Sequence, residues 1–423
     1  MKVTVVGGGS TYTPELVDGF SRLREVLPID ELWLVDPDPE RLRLVSGVSR
    51  RMFARAGHPG VVHDTSDVVA GVADADVVLL QLRVGGQAAR HGDETFPHEA
   101  GCIGQETTGP GGFAKALRTV PVVLDIAEAV RRHAAPDAWI IDFTNPVGIV
   151  TRALLEAGHR AVGLCNVAIG FQRRFARMLD VAPEAVSLGH VGLNHLTWER
   201  SVTVTRDGAS EDVLPRLLAT RLPELAEEVE LPGELLSLQE AIPSYYLRYF
   251  YAHDEVLREQ QGAPTRAEAV LDVERRLLAQ YADPSVDTKP EELALRGGAF
   301  YSEAAVDLMA SLTGNRGDTQ VVNVRNDGTL GFLPDDHVIE VPAVVTANGL
   351  TPVPVAPLAP EMQGLVAHVA EYERLALDAA VEGGRDRVLR ALLAHPLVGQ
   401  FSKAERLTDL LLEANARHLE WAR

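Results

Sequence analysis

Through its first half the chain alternates short β-branched runs with longer stretches whose apolar residues recur at helical spacing. The runs fall near Val3–Val6, Leu32–Val35, Val77–Leu82, Trp139–Phe143, Ala161–Leu164 and Val186–Val191. Amphipathic segments such as Pro14–Leu27, Pro39–Ala56 and Thr119–His133 lie between them, and this alternation predicts a parallel sheet with crossover helices, a doubly wound α/β fold. Gly7–Ser10, Asp36, Arg83, Asn145, Cys165 with Asn166, and Asn194 with His195 all fall at or just beyond the carboxyl ends of those runs. In an open α/β sheet those ends converge on one crevice with the helix N-termini, so one ligand site is expected to collect these residues.

The texture changes after about residue 200. Helical, Glu-rich stretches (Leu214–Leu238, Arg266–Tyr281) give way to a β-rich passage from Thr319 to Val355, and the last part, Pro360–Ala422, is rich in Ala and Leu and helical. The expected division is residues 1–195 as a Rossmann-type domain, and 196–423 as a mixed α+β domain that completes the site and carries any subunit contacts. Neither an internal repeat nor a flexible linker interrupts this plan.

Composition narrows the function classes. With 423 residues, 46% hydrophobic and 24% charged, the chain suits two closely packed domains with an ample core. A formal net charge of −20 repels nucleic acid and anionic membranes, so neither is an expected partner, and an anionic ligand must be met by local arginines or helix N-termini. Two cysteines, Cys102 and Cys165, make no disulfide framework, the start Met1–Lys2 runs straight into a strand, and no apolar run is long enough for a bilayer. A reducing, cytoplasmic setting is expected.

Four constellations carry candidate chemistry. In Val3–Pro14 strand, Gly7-Gly8-Gly9-Ser10-Thr11 turn and helix follow in the order a dinucleotide pyrophosphate needs, with Thr13 as the expected N-cap and Pro14 as the first helical residue. A full fingerprint has glycine where Tyr12 stands; a tight turn without ligand is the alternative, against which Asp36 stands at the end of the second strand, where a carboxylate suits ribose hydroxyls and repels a 2′-phosphate, favouring NAD over NADP. Cys165 and His195, from two strand ends, are suited to a divalent metal with open positions, although by spacing alone a buried thiol and a core histidine fit equally. The run Ser244–Tyr251 holds four tyrosines and Arg248, either a core stripe or the source of a phenolate base. The polar, glycine-dense Gly101–Gly112 reads as a closing loop or a plain connector, and Arg83, Arg90 and Arg296, each beside glycines, as phosphate ligands or solvated charges.

Taken in order, Gly7–Leu16, Gln81–Gly86, Ile103–Gly109, Phe143–Pro146, Gly163–Asn166, Gly192–His195, Tyr246–Tyr249 and Val322–Gly328 resemble the family-four glycoside hydrolases, specifically the 6-phospho-β-glucosidase branch. The resemblance covers at least three quarters of the chain and implies a fold similar to lactate and malate dehydrogenases, NAD retained through turnover, and a divalent metal, usually manganese. It implies that Gly7, Gly8, Gly9, Ser10, Thr11, Asp36 and Arg83 bind NAD, that Cys165 and His195 ligate the metal, and that Tyr246 is the C2 base, with Tyr245 as its neighbouring rival. Glu106, Asn145, Asn166 and Asn194 would meet the sugar, and Arg90 and Arg296 the 6-phosphate. The implied reaction oxidises C3, removes the C2 proton, eliminates the leaving group, adds water and reduces C3 again, which explains why no inward-facing carboxylate pair is evident. Members of the family commonly form dimers or tetramers. The competing readings are another specificity of the same family (a phospho-α-glucoside or an unphosphorylated glycoside), a hydroxy-acid dehydrogenase with a His–Asp pair, and a non-catalytic NAD-binding regulator.

Overall fold

The computed structural model describes residues 1–297 and 300–422; Gly298 and Ala299, inside the segment that follows Arg296, lie outside the described residues. Six strands form a parallel array: β1 (Lys2–Val6), β2 (Glu31–Val35), β3 (Val61–Thr65), β4 (Val77–Leu80), β5 (Trp139–Asp142) and β6 (Ala161–Gly163), in the spatial order β3-β2-β1-β4-β5-β6. β4 and β5 are buried along their whole length, as a sheet with helices on both faces requires. β3 escaped the sequence reading because it holds only Val61 and Val62 as apolar residues, and Val61 is exposed at the sheet edge.

The run near Val186–Val191 forms β7 (Val186–Leu193), yet it is not a sixth or seventh parallel strand. It turns back through His195 and pairs antiparallel with β8 (Leu196–Arg206), which in turn carries β9 (Ala209–Asp212) and β10 (Ile242–Pro243). β11 (Asp318–Arg325) and β12 (Val338–Thr346), with β13 (Gly349–Pro352) beside β12, insert between β6 and β7. Among the described residues one sheet of 13 strands therefore forms, and strands far apart in sequence frame the same crevice.

The helices follow their local signals with instructive exceptions. Asp38 caps the helix Pro39–Ala56 by accepting from Glu40 and Arg41 N–H groups at 3.0 and 3.1 Å, and Gly57 closes it in the left-handed region at φ 61°. The first helix spans Thr13–Arg22, so Tyr12 and not Thr13 is its N-cap; the Thr13 hydroxyl instead donates to Gly8 O at 3.0 Å, tying the helix to the glycine turn. The helix expected from Thr119 begins at Gly109 and runs 25 residues to His133. Its glycines serve close approach: a Cβ on Gly111 would stand 2.3 Å from Asp93 O and one on Gly112 2.5 Å from the Thr107 carbonyl carbon. The stretch Leu214–Leu238 is broken at its prolines into Leu214–Thr220, Leu222–Val229 and Gly233–Gln239, whereas Arg266–Ala282 is a single helix opened by a Thr265–Glu268 capping box. Helices Pro360–Glu382, Arg385–Ala394 and Phe401–Asn415 complete the chain.

Candidate active site

The glycine turn is shaped by its contact with β2. The N–H groups of Gly7 and Gly8 both donate to Val35 O at 2.9 Å, and a Cβ on Gly8 would lie 2.8 Å from that of Leu34. Gly9 N–H donates to Asp36 Oδ2 at 3.0 Å, and Asp38 N–H to Asp36 Oδ1 at 3.0 Å. Burial lifts the Asp36 carboxyl above its ordinary value in spite of these two bonds. Gly7, Ser10, Tyr12 and Asp36 line a crevice of about 1440 Å³, a size that accommodates a dinucleotide and a sugar together. Gly8 and Gly9 are spent on the turn itself. Thr11 faces the other way, fully buried, its hydroxyl receiving Arg296 Nε at 3.2 Å while Tyr281 donates to its carbonyl at 2.7 Å.

One wall of the crevice is cationic. Glu106 sits among Arg83, Arg90 (3.1 Å) and Lys115 (2.9 Å), and Glu274 among Arg41 (3.3 Å) and Arg296 (2.9 Å). Burial alone would raise the Glu106 carboxyl, but Arg83, Lys115 and Arg90 together hold it well below the usual carboxylate range. Lys115 loses more to burial than Glu106 restores and is lowered to about 8. Arg83, Arg90, Lys115 and Arg296 thus gather on one wall of the crevice, a local concentration of cations suited to an anionic ligand in a chain that is otherwise strongly acidic.

The opposite end is built from the ends of β6 and β7. Cys165, two residues past β6, is buried and bonded by the Asn194 side chain; burial, reinforced by the negative charge of Glu340, raises its thiol. His195 holds φ 62°, a left-handed conformation uncommon outside glycine, at the sharp turn between β7 and β8. Its Nδ1 lies 3.0 Å from Thr107 Oγ1, and burial lowers its pKa to about 4, so the ring is neutral with Nε2 available as a ligand. Among the described residues no three His, Cys, Asp or Glu side chains make a complete metal cage. His195 lines the crevice and Cys165 lies behind its lining; a thiol and a neutral imidazole are donor types that suit a divalent cation with its remaining positions open to substrate or water.

Tyr246 stacks on His195 with ring centroids 3.7 Å apart and planes 8° from parallel, and it lines the crevice. Tyr245 does not line the crevice, and its hydroxyl accepts from Arg248 at 2.9 Å. Burial pushes the Tyr246 phenol above its ordinary value, with the charges of Cys165 and Glu106 adding to the rise and Arg90 opposing it. Asn145 and Asn166 line the same space, and the buried Asn145 Oδ1 has no hydrogen-bond partner, an acceptor left for a ligand hydroxyl. Asn194 stands one layer back, its Nδ2 donating to Glu340 Oε2 at 2.7 Å. Sequence reasoning missed Lys115, Thr107 and the aromatic corner in which Tyr301 meets Phe143 at 5.3 Å and Tyr12 at 6.1 Å. Lys115 had left a signal, a lysine inside an apolar stretch, and Thr107 lay within the polar loop Gly101–Gly112, though nothing there marked it as the partner of His195; Tyr301 had left none.

A doubly wound sheet with a glycine turn, an acidic residue at the end of β2 and a reactive cluster over the strand ends defines a dinucleotide-binding α/β enzyme fold. Comparison with known sequences gives the particular kind. The family 4 glycosyl hydrolase pattern matches residues 2–181 and the C-terminal domain of family 4 glycosyl hydrolases matches residues 190–398. This chain belongs to family 4 of the glycosyl hydrolases. A probable 6-phospho-beta-glucosidase of Bacillus subtilis (strain 168) is 40% identical over 430 residues, covering 99% of this chain and 97% of the relative. The 6-phospho-beta glucosidase from Thermotoga maritima, solved with manganese, NAD+ and glucose-6-phosphate, superimposes with a TM-score of 0.92 at 34% identity over 99% of both chains. Malate dehydrogenase from Salinibacter ruber, 18% identical with a TM-score of 0.56 over 91% of this chain and 99% of its own, shares the fold alone.

Proposed function

We propose that this protein hydrolyses 6-phospho-β-glucosides with NAD and a divalent metal, Mn²⁺ foremost, by an oxidation, elimination, addition and reduction sequence. The observation that carries the reading is Tyr246 stacked on His195 in one crevice that runs from the glycine turn to a cationic wall. Asp36 with Gly7, Ser10 and Arg83 would hold the dinucleotide, Gly8 and Gly9 shaping the turn, and Cys165 and His195 would hold the cation. Asn145, Asn166 and Glu106 orient the sugar with Asn194 behind them, bonded to Glu340 and Cys165, while Arg90 and Arg296, with Lys115 adding charge, receive the 6-phosphate. When bound, NAD supplies a reversible hydride acceptor and the cation supplies Lewis acidity. Tyr246 takes the C2 proton at its phenolic oxygen; burial and nearby negative charges disfavour its phenolate, which a cation bound by Cys165 and His195 would favour. Hydrolysis by a carboxylate pair is a poor fit: Asp36, the crevice carboxyl raised by burial, is committed to the Gly9 and Asp38 N–H groups, and Glu106 and Glu274 are lowered by their arginines. A hydroxy-acid dehydrogenase is likewise disfavoured, since His195 Nδ1 faces Thr107 and not an aspartate.

Residues 1–195 would serve as the NAD-binding domain and 196–423 as the substrate, catalytic and subunit-contact domain of a cytoplasmic homodimer or homotetramer. Among the described residues no helix is long and apolar enough to cross a membrane. The decisive experiment is turnover of an aryl 6-phospho-β-glucoside in D₂O with NAD and Mn²⁺. Deuterium at C2 of the released sugar phosphate is expected; product that keeps its C2 hydrogen overturns the mechanism, and cleavage of the α-anomer alone overturns the specificity.

A further inference from the structure

Behind Cys165 runs a charged chain sealed from solvent. His190 on β7 is fully buried with a carboxylate at each ring nitrogen: Glu199 Oε1 lies 2.6 Å from Nδ1 and Glu340 Oε1 2.9 Å from Nε2. Burial disfavours the imidazolium, yet the two glutamates overcome it and raise its pKa to about 10, so His190 donates at both nitrogens at neutral pH. Two carboxylates against one imidazolium leave the chain one net negative charge. The other oxygen of Glu340 accepts from Asn194 Nδ2 at 2.7 Å and from Asn323 Nδ2 at 3.0 Å. Asn194 in turn bonds the Cys165 thiol and directly precedes His195 in the chain.

Sheet register explains how the chain reaches the crevice. Glu340 on β12 stands opposite Asn323 on β11 and Gly192 on β7, and Asn323 stands opposite Gly163 on β6. A Cβ on Gly163 would lie 2.9 Å from that of Asn323, so glycine there lets the row close. The row thus joins the strand that ends at Cys165 to the strand that ends at His195. A net buried charge with no counter-charge of its own, and with Glu199 Oε2 left without a hydrogen-bond partner, is costly unless an opposite charge is brought close.

We propose that Glu340 is a positioning residue for the cation site: anchored by His190 and Glu199, it holds Asn194 against Cys165 and supplies negative charge that a divalent cation neutralises. This rests on the reading that Cys165 and His195 bind such a cation. The test is Mn²⁺ affinity of the full chain without substrate, followed by the electron paramagnetic resonance of free Mn²⁺, with NAD affinity and the thermal midpoint measured in parallel. Glu340→Gln keeps the shape and removes the charge; its Kd for Mn²⁺ is expected to rise about tenfold or more, as loss of an outer partner of a metal ligand does, with NAD affinity unchanged. A folded Glu340→Gln protein that binds Mn²⁺ as the parent does overturns the proposal. Should that variant not fold, Asn194→Ala breaks the bridge and leaves the chain whole; weaker Mn²⁺ binding upholds the proposal and parental binding overturns it. Cys165→Ser separates the two levels. If it abolishes Mn²⁺ binding while Glu340→Gln leaves it intact, only the role of Glu340 fails; if Cys165→Ser binds Mn²⁺ as the parent does, the cation reading falls and takes the proposal with it.

Discussion

Tyr246 shows what a single residue needs from its neighbours before its chemistry is defined. Alone in a tyrosine-rich run it is one of four phenols; stacked on His195 and set among Cys165, Glu106 and Arg90 it is the one aimed at the ligand space. Tyr246→Phe is expected to lower kcat on an aryl 6-phospho-β-glucoside by about 10²- to 10⁴-fold, the usual worth of a general base, with little change in KM; steady-state kinetics checks this, and an unchanged kcat removes Tyr246 from the proton transfer. Asn145→Ala should act mainly on KM, because its buried and unpartnered Oδ1 is available to the sugar and truncation forfeits about 0.5–1.5 kcal/mol of hydrogen bonding. At this scale the residue types were legible in the sequence and their pairings were not. Spacing along the chain says nothing of whether Cys165 meets His195 or a core leucine, and Thr107, which fixes the His195 ring, is an ordinary polar residue until the helix starting at Gly109 brings it there.

Secondary-structure elements gave the clearest agreement wherever a local signal had a local cause. The Asp38 cap and the Thr265–Glu268 capping box act within one turn, whereas the cap expected at Thr13 falls one residue earlier, at Tyr12, because the Thr13 hydroxyl is drawn to Gly8. Glycines at element junctions behave differently, because what they accommodate is remote. Gly8→Ala would press a methyl group against Leu34, 2.8 Å away, and is expected to weaken NAD binding as the turn shifts, at about 1–3 kcal/mol of overpacking; calorimetric titration with NAD, alongside the thermal midpoint, measures both effects. Parental NAD affinity in a stable Gly8→Ala protein would show that the turn does not shape the nucleotide site. The glycines at 109, 111 and 112 read as loop residues for the same reason: propensity disfavours them in a helix, and the contacts with Asp93 and Thr107 that override it come from elsewhere.

For the molecule as a whole, two buried histidines set opposite limits on stability against pH. His190 has a folded pKa raised to about 10 from an ordinary 6.5, so its stabilising contribution is complete below 6.5 and is lost as pH climbs towards 10. His395, buried against Tyr372 and with its pKa lowered to about 3, is kept neutral when the unfolded chain would take up a proton, so stability falls as pH drops from 6.5 towards 3. Thermal midpoints across this range should therefore pass through a maximum near neutrality, and His395→Gln should flatten the acid limb; a parental acid slope in that variant would exclude His395 as its source. Sequence alone determined the parallel βαβ half, because strand runs, helical periodicity and the glycine turn are written in residues that are neighbours along the chain. It also settled the family, through motifs kept in order. Only tertiary structure decided the rest: that β7 turns back at His195, that β11 and β12 cross between β6 and β7, and that Glu340 on β12 is brought through Asn194 to Cys165. Pairing between distant strands depends on which apolar faces and hydrogen-bonding edges remain unsatisfied once the local elements exist, and that is a property of the assembled sheet, not of any segment within it.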